Sequence, residues 1–329
     1  MLPEKVKKIL EKQHYRLVGN KEHSAVQICR WTKKAIRGEG VCYKEKFYGI
    51  DSHRCCQMTP SLWCPNRCLH CWRAIEITTG EKIPGETNSP KEIIDGCIEA
   101  QKKLLMGFKI LPETKYKTVS KANMKKWEEA QEPMQFAISL SGEPTVYEDI
   151  GGLIEELRKG GKTSFLVTNG LYPEKLEELY EKNQMPTQLY ISVNVPNEKE
   201  YQLFHRSCLK DAWKRLNESL GMLPKLGKKT RTVFRINIVK GLNNKDKHIK
   251  EFSELIKISQ PLFIEVKGFM SVGYARKRLG YDRMPTHEDI MRFAKGISKL
   301  TGYKILDEHE FSRVCVLGKN KKDLKIKRI

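Results

Sequence analysis

Apolar positions recur along this chain with two different periods, and the periods switch in a regular order. From about residue 54 onward, short runs rich in β-branched and aromatic residues alternate with longer stretches whose apolar positions return every three to four residues. The runs predict strands at 54–63, 134–140, 163–168, 188–193, 232–239 and 262–268. Helices are predicted at 91–108, 148–159, 173–183, 198–205, 210–223, 247–258 and 287–300. Ser89 and Pro90 form a start signal for the first of these, whose apolar stripe is Ile93, Ile94, Cys97, Leu104 and Leu105. Strands separated by helices at this spacing predict an α/β fold with a parallel sheet, and six βα units suit a partial, TIM-like barrel. The functional loops of such a barrel lie at the C-terminal ends of its strands.

The flanks break this rhythm. Residues 1–20 predict a charged amphipathic helix with Val6, Ile9, Leu10 and Leu17 as its apolar positions. Residues 21–53 read as a Gly-rich loop region. A polar, Lys-rich excursion with a short helix at 121–130 interrupts the barrel over 109–133, and 304–317 predict an extra strand or hairpin before a basic tail. The expected organisation is therefore an N-terminal extension over 1–53, a barrel over 54–302 and a C-terminal hairpin and tail over 303–329.

Charge narrows the partners. Lys and Arg number 61 against 40 Asp and Glu, a formal charge of +21, with clusters at 225–235, 276–283 and 319–328. Such a field suits a polyanion, with nucleic acid the first candidate. A Lys-rich surface serving solubility or heat tolerance is the other reading. No run of about 18 apolar residues predicts a membrane span, and the first residues carry no apolar signal core. A cytoplasmic monomer is expected, with its ten Cys reduced.

The chemistry concentrates in Cys64, Cys68 and Cys71, three thiols at offsets of four and three. A structural zinc site would call for a fourth ligand of matching quality; His70 is a candidate substitute, but lying between two of the Cys it reads rather as packing or facing solvent. Three Cys with no partner pair suit a cubane iron–sulfur cluster with one iron left open. Upstream, Cys29, Cys42 and Cys55 follow one another at intervals of 13 residues, with Cys56 adjacent. They suggest a second cluster, ordinary half-buried thiols being the alternative.

The first triad's spacing resembles that of the radical S-adenosylmethionine superfamily. The resemblance implies a 4Fe–4S cluster whose open iron chelates S-adenosylmethionine and whose electron releases a 5′-deoxyadenosyl radical. Gly142 and Glu143 follow the second strand, where that superfamily has a Gly-Gly-Glu-like turn for the methionyl amino group; here Ser141 stands for the first Gly. Thr168 and Asn169 end the third strand, and Ser192 and Asn194 the fourth, as candidate contacts for the ribose and the methionyl carboxylate. Lys267 ends the sixth strand and could hold a carboxylate or form a Schiff base with a keto acid. The stretch after it, with Arg276, Lys277, Arg278 and Tyr281, interleaves cations and aromatics as an RNA-gripping loop would.

Taken together, Cys29, Cys42 and Cys55, the His53-Arg54-Cys55 stretch, the Cys71-Trp72-Arg73 ending and the 139–145 and 265–281 segments resemble one family, the tRNA 4-demethylwyosine synthases in their archaeal form. The resemblance implies condensation of pyruvate with 1-methylguanosine beside the anticodon of phenylalanine tRNA. It implies two 4Fe–4S clusters, S-adenosylmethionine and an external electron donor, since no flavodoxin-like domain precedes the barrel. Its implied course is hydrogen abstraction from the guanosine methyl group, attack on pyruvate with loss of the carboxyl, then imine formation and ring closure, for which Lys267 is the candidate amine. Other readings are a radical enzyme acting on a protein or small metabolite, and a non-catalytic zinc-binding RNA adaptor.

Overall fold

The structure is a computed structural model and describes residues 2–75, 78–109 and 123–326. The chain divides into two compact units. Met1–Leu62, Ile83–Phe165 and Lys325–Ile329 form the first, and Trp63–Lys82 and Leu166–Leu324 the second. Most of the expected Lys-rich excursion and the last residues of the basic tail lie outside the described residues.

In the first unit, α1 (Glu4–Lys12) leads to the hairpin β1 (Arg16–Val18) and β2 (Ser24–Gln27). Then come α2 (Arg30–Ile36), α3 (Tyr43–Tyr48), β3 (Cys55–Thr59), α4 (Pro90–Leu105), α5 (Met124–Glu129), β4 (Gln135–Ile138), α6 (Ile150–Lys159) and β5 (Thr163–Thr168), the strand in which the division falls. Strand β2 pairs antiparallel with β1 on one side and β3 on the other, and β3 pairs parallel with β4. Helix α4 starts as its sequence dictates, with a reciprocal Ser89–Glu92 capping box and Pro90 in the first turn. Its expected stripe is buried at Ile93, Ile94, Cys97 and Leu105.

The second unit carries the rest of the alternation: α7 (Pro173–Glu181), β6 (Gln188–Ser192), α8 (Glu198–His205), α9 (Ala212–Leu226), β7 (Arg231–Ile238), α10 (Asp246–Ser259), β8 (Phe263–Gly268), α11 (Gly273–Leu279), α12 (His287–Thr301), β9 (Lys304–His309) and β10 (Val314–Gly318). Strands β6, β7 and β8 are parallel; β10 adds antiparallel to β8 and β9 to β10. The near-continuous burial of β6, β7 and β8 is that of parallel strands covered on both faces. Edge-on packing of Phe252 against Phe234 and Phe293 ties α10 to β7 and α12. All six strands expected from the alternation form, so the fold is α/β with mostly parallel strands.

Three expectations are corrected. The N-terminal helix stops at Lys12, because His14 takes a positive φ of 62° and the chain turns into β1. The region over 21–53 is not loop but β2, α2 and α3. Its apolar residues Ile36, Phe47 and Tyr48 are fully buried, and that burial orders it, with Gly49 closing α3 in the left-handed conformation at a φ of 80°. The segment after β8 is the helix α11, since Ala275 and Arg278 at helical spacing both turn inward. Among the described residues no helix is long and apolar enough to cross a membrane.

Candidate metal centres

Each unit holds one Cys triad. In the second unit, the loop with Cys64, Cys68 and Cys71 is fastened to the C-terminus of α8. The backbone N–H groups of Arg67 and Leu69 donate to the carbonyls of His205 (2.8 Å) and Phe204 (3.0 Å), helix-end acceptors that would otherwise lack partners. The Arg206 guanidinium donates to the Arg67 carbonyl, and Cys208 N–H to that of Pro65. From the other side, Arg278 of α11 donates to the carbonyls of Leu69, Cys71 and Arg73. Gly273 takes a φ of +55°, and a Cβ there would meet the Trp72 carbonyl oxygen at 2.5 Å. Helix α11 thus starts against the Cys loop.

Charge and hydrogen bonding around the thiols are equally specific. Arg73, 4 % exposed, donates to Asn66 and Thr78. Burial works against its charge, but the Cys64, Cys71 and Cys68 sulfurs beside it outweigh that and raise its pKa above the ordinary value. The Asn66 N–H lies 3.4 Å and the Asn169 side-chain amide 3.8 Å from Cys64 Sγ, and Cys68 Sγ lies 3.0 Å from His205 Nδ1. His70 stacks on Phe204 at 5.1 Å, a packing role.

In the first unit, Cys29 and Cys42 stand just before α2 and α3, and Cys55 opens β3. A hydrogen-bond web joins the three segments. Thr32 Oγ1 donates to the Ser52 and Cys55 carbonyls, Cys42 N–H to Ser52 Oγ, and Ser52 N–H to Glu45. Burial first, and then the Cys29 sulfur, push the Cys55 thiol up, while the Lys44 ammonium opposes them. Lys44 is 8 % exposed, with Nζ 5.0 Å from the centre of the Phe165 ring. Cys56 is fully buried and faces Cys97, which leaves Cys55 as the third member of the triad.

In each triad the sulfurs lie near enough to feel one another's charge, so three thiols gather at one place in each unit. Three thiols are the donor set that a cubane with one open iron takes. Glu200, His248 and Glu251 gather within 4.8 Å, but His248 Nδ1 accepts the Lys245 N–H, so its Nε2 carries the proton and donates to Glu200. That group is a helix cap, not a metal site.

The other expected residues divide between the units. In the first, Gly142 has a φ of +68° and packs so closely that a Cβ would lie 2.0 Å from the Ser61 carbonyl oxygen. Glu143 is buried and accepts from the N–H and Oγ1 of Thr145. In the second, Asn169 reaches Cys64 while its Oδ1 accepts the Leu171 N–H, and Thr168 Oγ1 accepts the Gly170 N–H. Ser192 ends β6 opposite Arg235, and the Asn194 carbonyl accepts from Asn243. Lys267, half-buried, reaches the Ser312 carbonyl at 3.4 Å. Arg276 lies over the exposed Tyr281 ring at 5.0 Å and Lys277 over Tyr274 at 5.2 Å. Arg278, expected to face RNA, is spent on the Cys loop.

Sequence reasoning passed over Lys44 and His205. Lys44 lies two residues after Cys42, and that proximity was its only signal. His205 is 137 residues from Cys68, so only the fold joins them.

The chain matches two family models: "Radical SAM superfamily" over residues 58–253 and "Wyosine base formation" over residues 258–319. It is 44% identical over 324 residues to the S-adenosyl-L-methionine-dependent tRNA 4-demethylwyosine synthase of Pyrococcus abyssi, covering 98% of this chain and 91% of that one. A solved structure of TYW1 with a lysine–pyruvate adduct bound matches with a TM-score of 0.83 and 34% identity, covering 99% of this chain and 98% of that chain. A crystal structure of archaeal TYW1 matches at 0.76 and 32%, covering 99% of each. The chain belongs to the tRNA 4-demethylwyosine synthase family of radical S-adenosylmethionine enzymes.

Proposed function

We propose that this chain condenses pyruvate with 1-methylguanosine beside the anticodon of phenylalanine tRNA, giving 4-demethylwyosine. The observation that carries the proposal is the second thiol triad with a buried amine beside it. A radical enzyme needs one cluster for S-adenosylmethionine; Cys29, Cys42, Cys55 and Lys44 are surplus to that and suit a bound keto acid. Cys64, Cys68 and Cys71 are the proposed ligands of the first cluster, which when bound supplies the electron that cleaves S-adenosylmethionine to the 5′-deoxyadenosyl radical. Arg73 offsets the negative charge the three thiolates bring, and the Asn169 amide, with Thr168, Ser192 and Asn194, orients the cofactor.

Cys29, Cys42 and Cys55 are the proposed ligands of a second cluster for pyruvate. Lys267 is the amine the sequence puts forward for the imine. One observation favours a second reading: Lys44 is the more buried and lies beside the triad, its Nζ over the Phe165 ring. An amine beside the proposed pyruvate site is placed to meet the carbonyl of a bound keto acid. A lysine–pyruvate adduct is described for the similar TYW1 structure. Trapping with borohydride in the presence of labelled pyruvate separates the two lysines. On the Lys44 reading, Lys44→Ala loses the label and Lys267→Ala keeps it; the reverse result assigns the imine to Lys267. No label in wild type removes the imine altogether.

Iron and sulfide content tests the two-cluster premise. The Cys29/Cys42/Cys55→Ala variant, reconstituted anaerobically, should hold about half the wild-type iron. Unchanged iron would leave a one-cluster radical enzyme, and zinc in place of iron would favour a non-catalytic RNA adaptor.

A further inference from the structure

Cys68 has a neighbour that no part of the radical chemistry requires. His205, the last residue of α8, is 3% exposed and places Nδ1 3.0 Å from Cys68 Sγ. Its ring is held in place on several sides: it stacks on Tyr201 at 4.3 Å and 26°, and it meets Phe204 and His70 edge-on at 5.2 and 6.4 Å. Its own carbonyl accepts from Arg67, one residue before Cys68, so the backbone and the side chain of His205 grip the same loop. The neighbouring sulfur, on Cys64, has the Asn66 and Asn169 N–H groups near it instead.

We propose that His205 is a positioning residue for the iron–sulfur centre, donating its Nδ1–H to the Cys68 sulfur and thereby holding the centre's reduction potential up. The proposal rests on the reading that Cys64, Cys68 and Cys71 hold the cluster. A free thiol can donate its own proton to the ring, but an iron-bound sulfur has none and can only accept. Nδ1 must then carry the hydrogen. Nε2, which is buried without a hydrogen-bond partner, is left as an acceptor, which is less costly to leave unpaired than a buried N–H. Ligation and burial therefore select the same tautomer. A donor at a ligating sulfur stabilises the reduced, more negative cluster, because hydrogen bonds to the sulfurs help set the potential. One electron enters on reduction, and no proton leaves His205.

The test is an EPR-monitored redox titration of the reconstituted full chain, following the cluster signal that S-adenosylmethionine perturbs. His205→Phe keeps a ring to stack on Tyr201 and removes the donor; His205→Asn puts an amide N–H near the place of Nδ1. The proposal expects His205→Phe to retain its iron and to be about tenfold harder to reduce at fixed poise, about 59 mV for one electron, with His205→Asn restored to near wild type. An unchanged potential in iron-replete His205→Phe overturns it. If His205→Phe folds but loses iron, His205→Asn decides: iron retained at the wild-type potential supports the donor, and iron lost there too makes His205 a packing residue. A wild-type protein with no signal sensitive to S-adenosylmethionine would instead sink the assignment of the Cys triad itself.

Discussion

A methyl group at Gly142 would sit 2.0 Å from the Ser61 carbonyl oxygen, on a backbone whose φ is already +68°. Both costs act on Gly142→Ala, which should lower unfolding stability by at least about 2 kcal/mol, read from urea denaturation of the reconstituted protein. An unaltered midpoint would mean that the 61–62 backbone yields freely. The glycine was recognisable in the sequence as part of a superfamily turn, but its physical reason, a backbone crossing, was not. Arg278 is the sharper case. Its sequence neighbours are exposed cations and aromatics, and it reads as one more of them, yet it caps three carbonyls of the Cys loop. Arg278→Ala leaves those acceptors short of donors, so reconstituted iron content should fall while tRNA affinity is affected less than by changes at Arg276 or Lys277. Equal iron and a large loss of affinity would return Arg278 to the RNA.

Elements with strong periods were legible, and elements defined by contacts were not. Strand β5 and helix α8 form over the residues their patterns predict, because a buried parallel strand and an amphipathic helix each write their period into every residue. Helices α2 and α3 are seven and six residues long, too short for a period to emerge; they are held by the Thr32–Ser52–Glu45 web, in which Thr32 lies 20 residues before Ser52. Helix α11 was read as loop for the same reason, and its helical form changes the account of the RNA surface. Arg276 and Lys277 are presented beside Tyr281 and Tyr274 from one short helix whose start is anchored at Trp72. A double Arg276→Ala/Lys277→Ala variant should weaken tRNA binding and reduce the slope of log affinity against log salt by roughly 2. An unchanged slope would show that these cations meet no phosphate.

At the scale of the molecule, each of the two units holds its own Cys triad. The second holds the Cys64–Cys68–Cys71 loop between α8 and α11 and carries the expected cofactor contacts at the ends of β5 and β6. The first gathers a triad from three separate segments and adds a buried lysine. The motif in the second unit is local and was legible at once. The triad in the first is spread over 27 residues and was legible only as regular spacing of Cys, while Lys44 acquires meaning only from its burial. The net charge of +21 falls in place once the family is known to act on tRNA. The central claim, that this chain builds a new ring from pyruvate on methylated tRNA, is tested most directly by isotope tracing. Reduced, reconstituted protein is incubated with S-adenosylmethionine, tRNA carrying 1-methylguanosine, and pyruvate labelled either at its carboxyl carbon or at its other two carbons, and the digested nucleosides are weighed by mass spectrometry. The account predicts a new tricyclic nucleoside that keeps the label from the carbonyl and methyl carbons and loses that from the carboxyl. Release of 5′-deoxyadenosine with no label entering the tRNA would contradict it.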